Sequence, residues 1–201
     1  MPRWPARSPE VIAYRVFVQL PGAAAGAPGH GTHLHKPQGQ GRLDNPRHYD
    51  LWYFAVTPEC AIGEVFGNLT EWTDGMFQAP YLPGSRRALG KYEIRDDFNV
   101  LDLDDANALL DRGLRPTQVI ARNRATTQHW ALGIFQETTH DGSRKWAGVR
   151  WWSFQRPHWT VIGLWVAPGT TPQHHLVGVD PLNLSHPSVV DAARTLAKPI
   201  R

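Results

Sequence analysis

The strand-like and helix-like stretches of this 201-residue chain follow one another without a regular βαβ rhythm, and this order limits its fold more than its composition does. Residues 11–20 are rich in β-branched and aromatic side chains and are closed by Pro21-Gly22, which predicts a buried first strand with Arg15 in its middle. Residues 21–49 then run through Gly, Ala, Pro, His and Gln with no period. So long an aperiodic run in a compact domain is expected to be a functional loop rather than a plain connector. Residues 51–56 predict a second strand. Thr57 reads as the N-cap of a helix with Pro58 at its first position, Glu59 in its first turn, and Ala61, Ile62, Val65, Phe66 and Leu69 as its apolar side.

Further on, residues 79–90 carry turn chemistry and precede strands expected near 91–95 and 99–103. Residues 104–112 read as a short helix stopped by Gly113. Residues 118–136 keep helical spacing, which predicts the longest helix, with Ile120, Trp130, Ile134 and Phe135 in the core. After a turn at Asp141-Gly142, strands are expected over 147–154 and 160–166, a third near 175–179, and a closing helix over 188–197. No repeat or linker divides the chain. One domain over residues 1–201 is expected, in the α+β class with mainly antiparallel strands.

With 41% hydrophobic and 19% charged residues, the chain is too apolar for disorder and lacks the long uncharged run of a membrane span. Its net charge of +3 is spread along the sequence rather than gathered into runs, so nucleic acid is not an expected partner. Cys60 is the only cysteine, which excludes an internal disulfide. The N-terminal stretch lacks a basic-then-apolar secretory pattern, and a cytoplasmic setting is expected.

No Walker-type or dinucleotide-fold glycine signature is present; Gly39-Gln40-Gly41 is too short to stand for one. His30, His33 and His35 lie close together, but no carboxylate or thiol accompanies them at ligand spacing, and no metal is expected. Asp102, Asp104 and Asp105 lack the glycine and terminal glutamate of a calcium loop and fit an Asp-rich helix N-terminus. Polar groups concentrate instead in Gly41-Arg42-Leu43-Asp44, in Leu51-Trp52-Tyr53-Phe54-Ala55 with Glu64, and in Trp151-Trp152-Ser153-Phe154. By residue type, Arg42 is either a loop salt bridge or a fork for a diphosphate, and Arg15 meets either a phosphate or ribose or a core carboxylate. Glu64 beside small Gly63 is a solvated helix residue or a carboxylate facing a ligand. Tyr53 is core, or a ligand residue that stacks on a ring or bonds a phosphate with its hydroxyl. Ser153 has no Gly-x-Ser-x-Gly elbow around it and is not read as an acyl-transfer nucleophile; its hydroxyl is expected to point into a cleft or bond to backbone.

These segments, in this order, resemble the RES-domain family, NAD-degrading toxins of bacterial toxin–antitoxin pairs with a fold similar to ADP-ribosyltransferases. Tyr14-Arg15-Val16 is similar to the family's opening strand, and Gly41-Arg42-Leu43-Asp44 to its next element, with Leu43 in place of the usual aromatic. Leu51 to Ala55 followed by Thr57-Pro58-Glu59 and Gly63-Glu64 is the nearest match, and the run from Trp146 to Ser153 resembles the late strand. The likeness spans residues 11–166. It implies small antiparallel sheets around an NAD cleft with flanking helices, Arg42, Glu64 and Ser153 as catalytic residues, and Arg15, Gly41, Arg42, Tyr53 and Ser153 as NAD-binding ones. By that likeness Tyr53 would stack on nicotinamide or bond a phosphate, and Ser153 would position the nicotinamide-side ribose. It also implies release of nicotinamide with transfer of the ADP-ribosyl group to water, inorganic phosphate or a protein side chain, and an Xre-type antitoxin that blocks the cleft. A non-catalytic nucleotide-binding module and an RNA-targeting toxin are the rival readings.

Overall fold

The computed structural model describes residues 10–95, 99–167, 170 and 174–201. The first strand, β1 (Glu10–Gln19), is followed by the irregular loop and by β2 (Asp50–Ala55). Helix α1 (Pro58–Phe66) begins where the sequence predicts, with the Thr57 side chain accepting from the Cys60 N–H. A 3-10 turn (Asp74–Phe77) leads into β3 (Arg86–Arg95), and β4 (Val100–Asp102) precedes α2 (Ala106–Leu110), α3 (Pro116–Val119) and α4 (Arg124–Gln136). Strands β5 (Gly148–Trp152), β6 (Thr160–Val166) and β7 (His174–Pro181) and helix α5 (Pro187–Leu196) complete the chain.

The seven strands form a sheet in the order β4-β5-β6-β2-β1-β3-β7, antiparallel except for the β4–β5 pair. The α+β expectation holds. The pairing is uneven, however. Ten residues of β1 pair with β3 and six of β2 with β6, whereas β1 and β2 meet in register only at Tyr14 and Ala55. Two half-sheets therefore share one junction, and from Arg15 onward β1 diverges from β2.

The helices cover one face, where Leu51, Ala55, Trp151 and Trp165 pack with Ile62, Phe66, Ile134 and Val189. On the other face, Ala13, Trp52, Phe54, Tyr92, Ile162 and Leu164 form a separate cluster that includes no helix residue. Strand β2 is thus buried on both sides, and its apolar residues run without alternation. Among the described residues, no helix is long and apolar enough to cross a membrane.

Several expectations need correction. The helix expected over 118–136 is two helices, because Asn123 turns its side chain onto the Thr126 N–H and starts α4 afresh, leaving Ile120 half-buried outside it. Strand β3 begins at Arg86 rather than near 91, since pairing along the whole of β1 overrides the turn-like Gly90. Val65, within α1, is 39% exposed rather than packed on its apolar side, and Leu69 is 41% exposed because α1 ends at Phe66 and Leu69 lies beyond it.

Gly63 serves packing, not a ligand: a Cβ there would come within 2.3 Å of the Trp159 ring, itself buried. Helix propensity alone favours Gly63→Ala by about 1 kcal/mol. The clash is expected to outweigh that gain, since overpacking a fixed ring costs about 1–3 kcal/mol. A lower urea midpoint for this variant is the expected result; a higher one would mean that Trp159 yields.

Candidate active site

The divergence of β1 from β2 opens the cleft. A cavity of about 240 Å³ is lined by Tyr14, Arg15, Arg42, Tyr53, Glu64 and Trp151, among others. A second, of about 350 Å³, lies over Arg15, Gln38 and Tyr53, and a third, of about 680 Å³, reaches from Arg15 to the His30–Lys36 part of the loop. Small-molecule sites span roughly 300–1,000 Å³. The first cavity alone is smaller than that, and Arg15 lines all three, so an extended ligand would bridge them.

The loop that carries Arg42 is fastened from both sides. Asp44, 6% exposed, accepts from the N–H groups of Gly39 (2.8 Å) and Gly41 (2.7 Å) and from the Tyr53 hydroxyl (2.8 Å). The Leu43 N–H donates to that same hydroxyl at 3.0 Å. From α4, Thr127 donates to the Arg42 carbonyl (2.5 Å), and Gln128 donates to those of Gly39 and Gly41. A Cβ on Gly41 would lie 2.5 Å from the Tyr53 hydroxyl, so only glycine fits between the loop and β2. Tyr53 accordingly presents its ring, not its hydroxyl, to the cleft, and burial followed by the charge of Asp44 pushes its pKa well above the usual value.

Arg42 emerges from this frame with its guanidinium 5.7 Å from the Trp151 ring centre. Its Nη1 is buried without a hydrogen-bond partner, and the side chain forms no ion pair among the described residues. Burial lowers its pKa, opposed chiefly by the negative charge of Glu64. A buried donor left unpaired costs about 1–3 kcal/mol, a cost that an anionic ligand would remove. The salt-bridge alternative for Arg42 is not what the fold contains.

Glu64 reaches the cavity from α1. Its Oε1 accepts from the Ser153 hydroxyl, which in turn accepts from the Gln155 N–H at 2.9 Å. Ser153 is 1% exposed and is not part of the cavity wall. A serine hydroxyl has one proton, and here it goes to Glu64. Ser153 therefore orients the carboxylate rather than a ribose. The position after Trp151-Trp152 makes this possible, because just past the β5–β6 ladder the Ser153 N–H donates to the Trp159 carbonyl and holds the serine within reach of Glu64 on α1.

Arg15 enters from the helix-free face. Its guanidinium lies 4.7 Å from the Trp52 ring centre and donates weakly to the His33 carbonyl at 3.4 Å. Burial lowers its pKa, countered by Tyr92. No carboxylate among the described residues pairs with it, so the core-carboxylate alternative is absent. Beside it, His174 packs against Trp52, Phe54 and Tyr92 with its Nδ1 unpartnered. Burial, then Arg15, brings its pKa down to about 4. Unfolded, this histidine binds a proton near pH 6.5; folded, only near 4. Stability is thus retained above pH 6.5 and falls as the pH drops toward 4, by about 3 kcal/mol for this group. Urea titrations should show that slope, and His174→Phe should flatten it.

The structure gathers Arg15, Arg42, Tyr53 and Glu64 around one cleft, with Gly41 and Ser153 behind them. Asp44, Trp151 and Thr127 are added here. Asp44 stood in the quoted motif without a role, whereas Thr127 had no sequence signal, being 85 positions from the carbonyl it binds. His30 and His33 use their Nδ1 atoms on Thr32 Oγ1 and the Gly26 carbonyl. No group of three or more candidate metal ligands converges among the described residues. Asp105 caps α2, as its place in the sequence suggests.

The model of the RES domain matches residues 12–183. A chain of the solved M. tuberculosis MbcT–MbcA toxin–antitoxin complex shares the fold, with a TM-score of 0.54 at 15% identity over 95% of this chain and 91% of that one. No curated protein matches in sequence. The family match covers both half-sheets and every residue gathered at the cleft, and the protein belongs to the RES-domain family.

Proposed function

We propose that this protein consumes NAD by breaking its nicotinamide–ribose bond, with water or inorganic phosphate as acceptor, and that it is the toxin of a toxin–antitoxin pair. One observation carries the reading: a buried, unpaired arginine, Arg42, shares a cavity with a serine-held glutamate, Glu64. That pairing fits a substrate with a diphosphate at one end of the cavity and developing positive charge at the other.

In the reaction, the bond between ribose C1′ and the pyridinium nitrogen breaks, and its electron pair leaves with nicotinamide. The ribose acquires oxocarbenium character. The Glu64 carboxylate, held by Ser153, stabilises that charge and orients the ribose hydroxyls. Arg42 and Arg15 take the diphosphate from opposite faces of the split sheet, Arg42 through the two-pronged hydrogen bonding that a guanidinium offers. The Tyr53 and Trp151 rings supply apolar walls that limit water. The fold is shared with a chain from a toxin–antitoxin complex, which supports an antitoxin partner; to block NAD cleavage that partner would cover this cleft.

Incubation with NAD and, in turn, buffer alone, inorganic phosphate or a protein lysate tests this, with product masses read out. Free nicotinamide with ADP-ribose, or with its 1″-phosphate, is expected. Free nicotinamide with ADP-ribosylated protein as the only ADP-ribose product would make the enzyme a protein ADP-ribosyltransferase instead. No nicotinamide release under any condition would overturn the proposal.

A further inference from the structure

The largest of the three cavities contains more positive charge than the diphosphate of NAD requires. It is lined by Arg15, Lys36, Arg87 and three histidines, with Leu34, Leu82 and Tyr81 among its apolar surfaces and no carboxylate. Lys36 is taken by Asp50 at 2.6 Å, and two of the histidines use their Nδ1 atoms within the loop. Arg87 differs. It is half-buried on β3 opposite Val18, its guanidinium lies 5.8 Å from the Phe66 ring centre, and it has no ion pair or hydrogen bond among the described residues.

If the nicotinamide ribose lies at Glu64 and the diphosphate at Arg42 and Arg15, the remaining half of the dinucleotide extends past Arg15 into this cavity. A free adenosine ribose diol is best met by a carboxylate, whereas a 2′-phosphate is best met by an arginine. Across the three cavities the carboxylates are Glu64 and Asp44. Glu64 lies at the reacting end, and the oxygens of Asp44 already accept from two backbone N–H groups and the Tyr53 hydroxyl. No uncommitted carboxylate remains for the diol, while Arg87 remains for a phosphate.

We propose that the substrate class extends to dinucleotides phosphorylated on the adenosine ribose, with Arg87 as the residue that reads the 2′-phosphate, so that NADP is bound in preference to NAD. This rests on the cleavage reading for the placement of the two ends, and it can be tested apart from cleavage. The dihydronicotinamide forms bind without a cationic leaving group, so NADPH and NADH serve as probes of binding alone.

Isothermal titration of the wild-type protein with each probe at fixed ionic strength is expected to give NADPH at least tenfold tighter, the scale of one charge-assisted hydrogen-bond set. In Arg87→Ala this ratio should fall at least tenfold. Arg87→Lys, which keeps the charge but loses the fork, should retain part of the preference and serves if the alanine variant does not fold. Equal affinities in the wild type, or a preference that survives both substitutions, would overturn the proposal. Tight NADPH binding without nicotinamide release from NAD or NADP would sink the cleavage reading and leave this one standing; no binding of either probe, with nicotinamide still released from NAD, would end this proposal and leave the cleavage reading intact.

Discussion

Replacing Glu64 by glutamine is expected to cut nicotinamide release by about 10²–10³-fold while the protein stays folded. The amide has the size of the carboxylate and keeps an oxygen for the Ser153 hydroxyl, so the hydrogen bond that fixes the side chain survives. The negative charge is lost. Because oxocarbenium character exists only in the transition state, the loss should appear in kcat, with little change in KM. Ser153→Ala should cost less, about tenfold, since the charge remains and only its orientation loosens. A Ser153→Ala loss as large as that of Glu64→Gln would mean that the hydroxyl meets the reacting atoms itself, which its 1% exposure argues against.

Arg42→Ala has the second large expected effect, and its sign differs between activity and stability. Loss of charge-assisted bonds to a diphosphate, each about 1.5–3 kcal/mol, should lower kcat/KM by about 10²-fold or more, chiefly through KM. Thermal stability should stay level or rise. The guanidinium is desolvated in the free protein, its Nη1 has no partner, and burial already depresses its pKa. Removing it removes a cost, as is common where a functional charge is held without compensation. Arg42→Lys should not restore activity, because an ammonium cannot make the two parallel bonds. A marked fall in melting temperature for Arg42→Ala would identify Arg42 as a structural residue.

The sequence was informative where the physical cause is local. Thr57-Pro58-Glu59 carries its helix start in three residues, and the run 160–166 became β6 without adjustment. It misled where a distant partner decides. Gly90 reads as a turn but lies opposite Arg15 in a ten-residue ladder, where a Cβ would meet the Tyr92 ring at 2.6 Å. Gly63 reads as space for a ligand and is instead space for Trp159.

The site was legible in a similar, partial way. Arg42 and Glu64 could be named from charge and motif, and Arg15 from its cost inside an apolar strand. Their arrangement could not. The Ser153–Glu64 bond spans 89 positions, the clamp of Thr127 on the Arg42 carbonyl spans 85, and the opening itself follows from β1 and β2 pairing at only one position. No periodicity announces where a ladder stops.

Those observations make one cleft with a fixed carboxylate at one end and two arginines along it, and the central claim is that NAD is broken there. The most direct measurement is the amount of free nicotinamide released from NAD over time by the purified protein, with the Glu64→Gln protein as its blank. Steady release by the wild type and a rate at least a hundredfold lower in the variant are expected. Absence of nicotinamide, or equal release by both proteins, would contradict the central claim.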